Sequence, residues 1–88
     1  MARRNDLDIF ADILSVARNG ARKTRIVYNA NLNFKIVEKY LSRLREKGLL
    51  EERERSHFTT RKGIRFLEQY KLLVAPIDKG KVLGDMPQ

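Results

Sequence analysis

The chain has one histidine, His57, and no cysteine among its 88 residues. A zinc centre needs three or four nitrogen, sulfur or carboxylate ligands, so a lone histidine beside Ser56 cannot assemble an ordinary one. Carboxylates are not clustered as a two-metal nuclease requires, and no glycine-rich loop is present to cradle a phosphate. The expectation is a protein with no catalytic residues, no metal, no cofactor and no small-molecule ligand. What remains to do chemistry is charge. Nineteen Lys and Arg oppose eleven Asp and Glu, a formal net charge of +8 that favours a polyanionic partner.

The excess is not spread evenly. Residues 21–47 hold eight basic and two acidic residues, whereas 1–20 and 76–88 balance, 48–60 are slightly acidic and 61–75 carry a smaller surplus. Any surface that meets a polyanion is therefore centred on Arg22, Lys23, Arg25, Lys35, Lys39 and Arg43, and hydrophobic spacing shows which elements must position them.

Leu7, Phe10, Ile13, Leu14 and Ala17 recur at helical intervals, so a first helix is expected, capped by Asn5 and stopped by Asn19-Gly20. A shorter helix from about Arg22 to Ala30 buries Ile26, Val27 and Ala30. Asn31 ends it, because asparagine tolerates the left-handed conformation of a tight turn. Asn33 is placed to cap a third helix with Ile36, Val37, Tyr40, Leu41 and Leu44 facing inward, running to Gly48. So short a connection forces the second and third helices to cross steeply. A two-stranded ribbon follows, Glu51 to Glu54 against His57-Phe58-Thr59, with its turn near Arg55-Ser56. Thr60 caps a last helix bearing Ile64, Phe66, Leu67, Tyr70, Leu73 and Val74, and Pro76 is expected to end it. Residues 1–75 thus read as one domain and 76–88 as a tail.

The order helix, helix, helix, strand, strand, helix is that of a winged helix-turn-helix, a mainly α fold with a small β-hairpin, the wing. His57 is then expected to be an exposed wing residue. The stretches KTRIVYNANLNF, YLSRLREKGLL and FTTRKGIRFL resemble the small winged-helix regulators and chromatin-associated DNA-binding proteins of archaea and their viruses. The points of resemblance are Thr24-Arg25 opening the second helix, Phe34 after the third helix cap, and Thr60 with Gly63. The chain departs from some of those proteins at Pro76, which is expected to cut short the coiled-coil helix after the wing. The resemblance implies a double-stranded DNA partner and a cytoplasmic, nucleoid-associated protein.

The DNA-facing residues can be read without it. With the apolar stripe inward, the third helix presents Asn33, Phe34, Lys35, Glu38, Lys39, Ser42 and Arg43 outward, and the N-terminal part of such a helix enters the major groove. Lys35 and Lys39 reach a guanine edge or a phosphate, Asn33 is either a base reader or the cap, and Phe34 touches a thymine methyl or packs locally. Arg22, Lys23 and Arg25 are placed for phosphate contacts, and Arg53 and Arg55 lie on the wing, where Glu51, Glu52 and Glu54 offset them. On the last helix Ile64, Leu67 and Val74 form one apolar stripe and Phe66, Tyr70 and Leu73 a second, so a homodimer through the second stripe is expected. Three rivals to a regulator keep the same fold: an architectural chromatin-like protein, a winged helix that docks on an acidic protein, and an RNA binder. The last lacks the repeated surface aromatics that stack bases. A longest apolar run of Leu72 to Pro76, and charges between Met1 and Asp8, give no expectation of membrane insertion or export.

Overall fold

Asn5 starts the first helix as its residue type predicts: its side chain accepts from the Asp8 amide at 2.9 Å while Asp8 returns a bond to the Asn5 amide at 3.1 Å. This reciprocal cap opens α1 (Asp6–Val16), whose buried side is Ile9, Phe10, Ala11, Ile13 and Leu14. The computed structural model describes residues 4–78, with side chains as far as Val74. The first helix closes at an Ala17 cap, slightly before the expected Asn19-Gly20 stop, and Gly20 makes the turn at φ 99°.

A strand the periodicity did not reveal comes next. Ala21–Arg22 is β1, only two residues long, and it pairs antiparallel with the second arm of the hairpin. Two residues carry no alternation that could be read in advance. α2 (Lys23–Asn29) and α3 (Phe34–Glu46) follow, joined through Asn31 at φ 56° and the Asn33 cap, whose side chain accepts from the Ile36 amide at 2.9 Å. Both asparagines take the roles their chemistry predicts. Arg4 braces this turn from outside, its guanidinium donating to the Ala30 and Asn31 carbonyls at 2.7 and 2.8 Å and pairing with Asp12.

The wing is β2 (Leu50–Arg53) and β3 (Ser56–Thr59), in a three-stranded antiparallel sheet of order β1-β3-β2. Its turn is Glu54-Arg55, one residue earlier than expected, with both residues at positive φ, 49° and 69°. Two central residues of this kind give the hairpin turn whose twist matches the strands. Register decides the faces. Glu52 and Ala21 flank His57, so His57 points with Leu50 toward the core, while Arg22, Arg53, Ser56 and Phe58 point away.

α4 (Arg61–Asp78) opens on Thr60, whose hydroxyl accepts from the Gly63 amide at 3.1 Å and donates to the Gly48 carbonyl at 2.7 Å. The expectation that Pro76 ends the helix is overturned, since the helix runs to Asp78. Proline removes one donor and keeps a helical φ, so near the end of a helix it forfeits only one bond, that to the Leu72 carbonyl. Most of the expected tail, residues 79–88, lies outside the described residues.

One core gathers every element except the outer face of the sheet. Ile13, Leu14, Ile26, Val37, Leu41 and Leu44 are fully buried at its centre, and Leu67 of α4 packs on them. Phe66 and Tyr70 were expected to form a second, separate stripe. They are instead half-buried against this same core, stacked on each other, with the Tyr70 hydroxyl donating to Asp8. Leu73 does stand out, 72 % exposed beside Leu72 at 74 %.

Candidate nucleic-acid interface

The third helix shows the outside of the domain what its stripe leaves over. Val37, Tyr40, Leu41 and Leu44 are buried; Lys35, Glu38 and Lys39 are exposed and Ser42 is half-buried. Ile36, expected inward, is 36 % exposed, because the buried stripe is centred between Val37, Tyr40 and Leu44 and leaves Ile36 at its margin. Phe34 is 51 % exposed just after the cap.

Ion pairs then sort the basic residues. Lys23 of α2 meets Glu38 of α3 at 3.0 Å, and that lysine holds the Glu38 carboxyl below the usual carboxylate range. The pair crosses the helix-turn-helix and cancels the acid on the first turns of α3. Arg43 pairs with Asp6 at 3.2 Å, and Asp6 also accepts from the Tyr40 hydroxyl at 2.9 Å, which raises the Tyr40 pKa. Arg43 therefore leans toward α1. Lys35, Arg25, Arg22 and Arg55 make no ion pair among the described residues, and the Lys39 ammonium lies 5.6 Å from the Tyr40 ring centre. The freely offered charge on the helix-turn-helix is thus Arg25, Lys35 and Lys39.

The site residues read from sequence do not form one surface. Lys23, Arg25, Phe34, Lys35, Lys39 and Ser42 lie on the helix-turn-helix, with Asn33 occupied as the cap. Arg53 is stacked 4.3 Å over the Phe58 ring and pairs with Glu51 at 3.4 Å, on the sheet face that looks away from α3. Arg22, grouped by sequence with Lys23, lies on that same outer face. Tyr28 was missed: it is 72 % exposed on α2, one turn after Arg25. Its position opposite Ile26 and Val27 was available from helical spacing.

The root of the wing is tied to the helices around it. Arg45 of α3 reaches Glu52 of β2 at 3.8 Å, the Lys62 ammonium donates to the Lys47 carbonyl at 3.0 Å, and the Thr59 hydroxyl donates to the Leu14 carbonyl at 2.7 Å. His57 lies between Glu52 and Ala21 on the neighbouring strands, 4 % exposed rather than on the surface as expected, with Nδ1 unbonded among the described residues. Burial pushes its pKa below the ordinary histidine value, with Glu52, Arg45, Glu38 and Lys23 acting on it in opposing directions. The unfolded chain therefore protonates His57 first, near its ordinary value of about 6.5, so stability is full above that pH and declines as the pH falls below it. Between about pH 7 and pH 5 the thermal midpoint of the wild type is expected to fall more than that of His57→Leu. Parallel profiles for the two proteins would exclude His57 as the cause.

Among the described residues no helix is long and apolar enough to cross a membrane, and no group of three His, Asp or Glu residues is placed to hold a metal ion. No curated protein matches the chain. Among solved structures, the crystal structure of Sso10a-2, a DNA-binding protein from Sulfolobus solfataricus, is similar, with a TM-score of 0.77 and 26 % identity over 97 % of this chain and 99 % of that one. Residues 3–75 match the winged helix-turn-helix family, so the helices, the asparagine-capped turn and the hairpin agree with the sequence match, and the chain belongs to that family.

Proposed function

We propose that this chain binds double-stranded DNA by seating α3 in the major groove, acts as a transcriptional regulator and carries out no catalysis. The observation that supports this best is the exposed charge of Arg25, Lys35 and Lys39 on the helix-turn-helix, none of them in an ion pair among the described residues, with the acid between the two lysines, Glu38, neutralised by Lys23. Lys35 and Lys39 are one turn apart and face the same way, a spacing that suits a guanine edge or successive phosphates. Arg25 on α2 and Arg55 on the wing tip then meet the flanking backbone. The DNA-binding description of the Sulfolobus protein supports the same partner.

Selection of bound duplexes from a random pool, followed by footprinting, tests the reading. A strong consensus is the expected result. Tight binding without a consensus would make the protein architectural, and failure to bind any duplex would overturn the proposal. A second reading has its own observation: Tyr28, Phe34 and Ile36 put exposed apolar surface on the helix-turn-helix, as a protein-docking winged helix would require. Failure to bind duplex would leave that reading standing.

The protein is further proposed to be a homodimer through the distal half of α4. Since Phe66 and Tyr70 are partly used by the core, the exposed pair Leu72 and Leu73 replaces them at the centre of this interface. Light scattering at micromolar concentration is expected to give a dimer mass, and Leu72→Glu with Leu73→Glu a monomer of unchanged helicity. A wild-type monomer would remove the dimer.

A further inference from the structure

Arg22 and Arg53 were expected among the DNA-contacting residues, but seating α3 in the groove gives the outer sheet face on which they lie no role, and that face brings together residues far apart in the sequence. Arg22 of β1, Ser56 of β3 and Arg53 of β2 lie directly opposite one another across the three strands, in one row on one face. Strands in a sheet are about 4.8 Å apart, so two guanidinium groups flank a central hydroxyl within reach of a single tetrahedral oxyanion. The next position along β3 is Phe58. Its ring lies against Gly20, where a Cβ would come within 2.5 Å of Phe58 Cε2, and the Arg53 guanidinium covers its outer side. Stacking on an aromatic face leaves the edge of a guanidinium free to donate. These residues, with Glu54, line a shallow cleft of about 550 Å³.

The geometry points to a second phosphate site here, in which Arg22 and Arg53 clamp a phosphodiester of the DNA backbone over the Ser56 hydroxyl. The inference rests on the DNA-binding reading but not on α3. The sheet's inner face carries Glu52, which pairs with Arg45 of α3, so the cleft opens on the side away from the recognition helix and at the tip end of the hairpin. The phosphate it holds therefore lies outside the groove α3 enters. Glu51 and Glu54 define how the site works. Glu51 occupies Arg53 at 3.4 Å, and Glu54 sits on the rim, so an isolated phosphate faces two competing carboxylates. A backbone phosphate already held close by the rest of the interface competes at a high effective concentration and displaces Glu51.

The test uses the whole chain and a duplex carrying its selected site. Ethylation interference is expected to mark backbone positions flanking the α3 half-site in the wild type. Arg22→Gln with Arg53→Gln is expected to lose those marks, keep the major-groove contacts, and reduce the salt slope of log Kd by about one to two. Glu51→Gln should move the other way, tightening binding several-fold. If the double variant keeps the wild-type slope and interference pattern, the clamp is overturned while the α3 reading stands. If Lys35→Ala with Lys39→Ala leaves binding intact but the outer-face variant does not, the α3 reading falls and the clamp stands. Amide shifts at Ser56 and Phe58 on adding inorganic phosphate, in a protein whose duplex binding ignores Arg22 and Arg53, would make the cleft a site for free phosphate only and overturn the inference.

Discussion

Gly63→Ala is expected to be among the most damaging conservative substitutions in the domain. On helix propensity alone, replacing an interior glycine by alanine would stabilise α4 by about 1 kcal/mol. Here the added methyl would strike the Leu49 carbonyl and come within 2.6 Å of Thr59 Cγ2. Neither neighbour can yield freely. The Leu49 carbonyl accepts from the Thr60 amide at 3.0 Å, and Thr59 is held by its own bonds to Leu14 and Ala17. Relief requires α4 to shift off the root of the wing, and overpacking of this kind costs about 1–3 kcal/mol or more, enough to outweigh the propensity gain. The thermal midpoint should fall by roughly 4–8 °C for each net kcal/mol lost. A midpoint at or above the wild-type value would show that the wing root adapts without strain.

The largest effect on binding is expected from Lys35→Ala with Lys39→Ala. Both side chains point away from the buried stripe and neither makes an ion pair among the described residues, so far-ultraviolet dichroism and the thermal midpoint should hardly change. A base-reading lysine is worth about 1–3 kcal/mol, and a phosphate-contacting one removes about one from the salt slope. The pair together should weaken duplex binding by roughly 10- to 1,000-fold. Relaxed sequence preference would assign them to bases, and uniform loss to phosphates. Arg43→Ala should add less, since Arg43 is engaged with Asp6 on the side toward α1. Unchanged affinity in the double variant would remove α3 as the recognition helix.

How far these positions were legible in the sequence follows from the range of the forces involved. Helix caps and turns depend on neighbours within four residues, so Asn5, Asn31, Asn33 and Thr60 could be read directly, as could the order of the main elements. The Thr60 and Gly63 spacing was visible as a motif, but its reason, the Leu49 carbonyl at the root of the opposite wing strand, was not. Register was the main loss. Whether His57 faces core or solvent depends on which residues of β1 and β2 stand opposite it, and a two-residue β1 leaves no periodic trace. The same pairing moved Arg22 from the helix-turn-helix to the outer face. Phe66 and Tyr70 looked surplus because helical spacing records which residues share a stripe, not how widely a neighbouring helix spreads over it. Pro76 was misread because a proline's penalty depends on how much helix follows it.

The wing turn bears on motion as well as shape. A turn with two residues at positive φ is easiest for Asn-Gly, and Glu54 and Arg55 instead hold left-handed conformations at about 1 kcal/mol or more each. That energy is returned whenever the tip opens, and the side-chain contacts that oppose opening are surface ones alone, Arg53 on Phe58 and Glu51, and Glu52 on Arg45, because Glu51, Glu52, Arg53, Glu54 and Arg55 are all exposed. The hairpin should therefore fray from its tip inward as far as the buried His57, while the root stays closed under the bonds of Thr59 and Thr60. Amide protons of residues 53–56 would then exchange orders of magnitude faster than those of α3, so in the proposed complex α3 would enter as a rigid body while the wing tip settled only after contact.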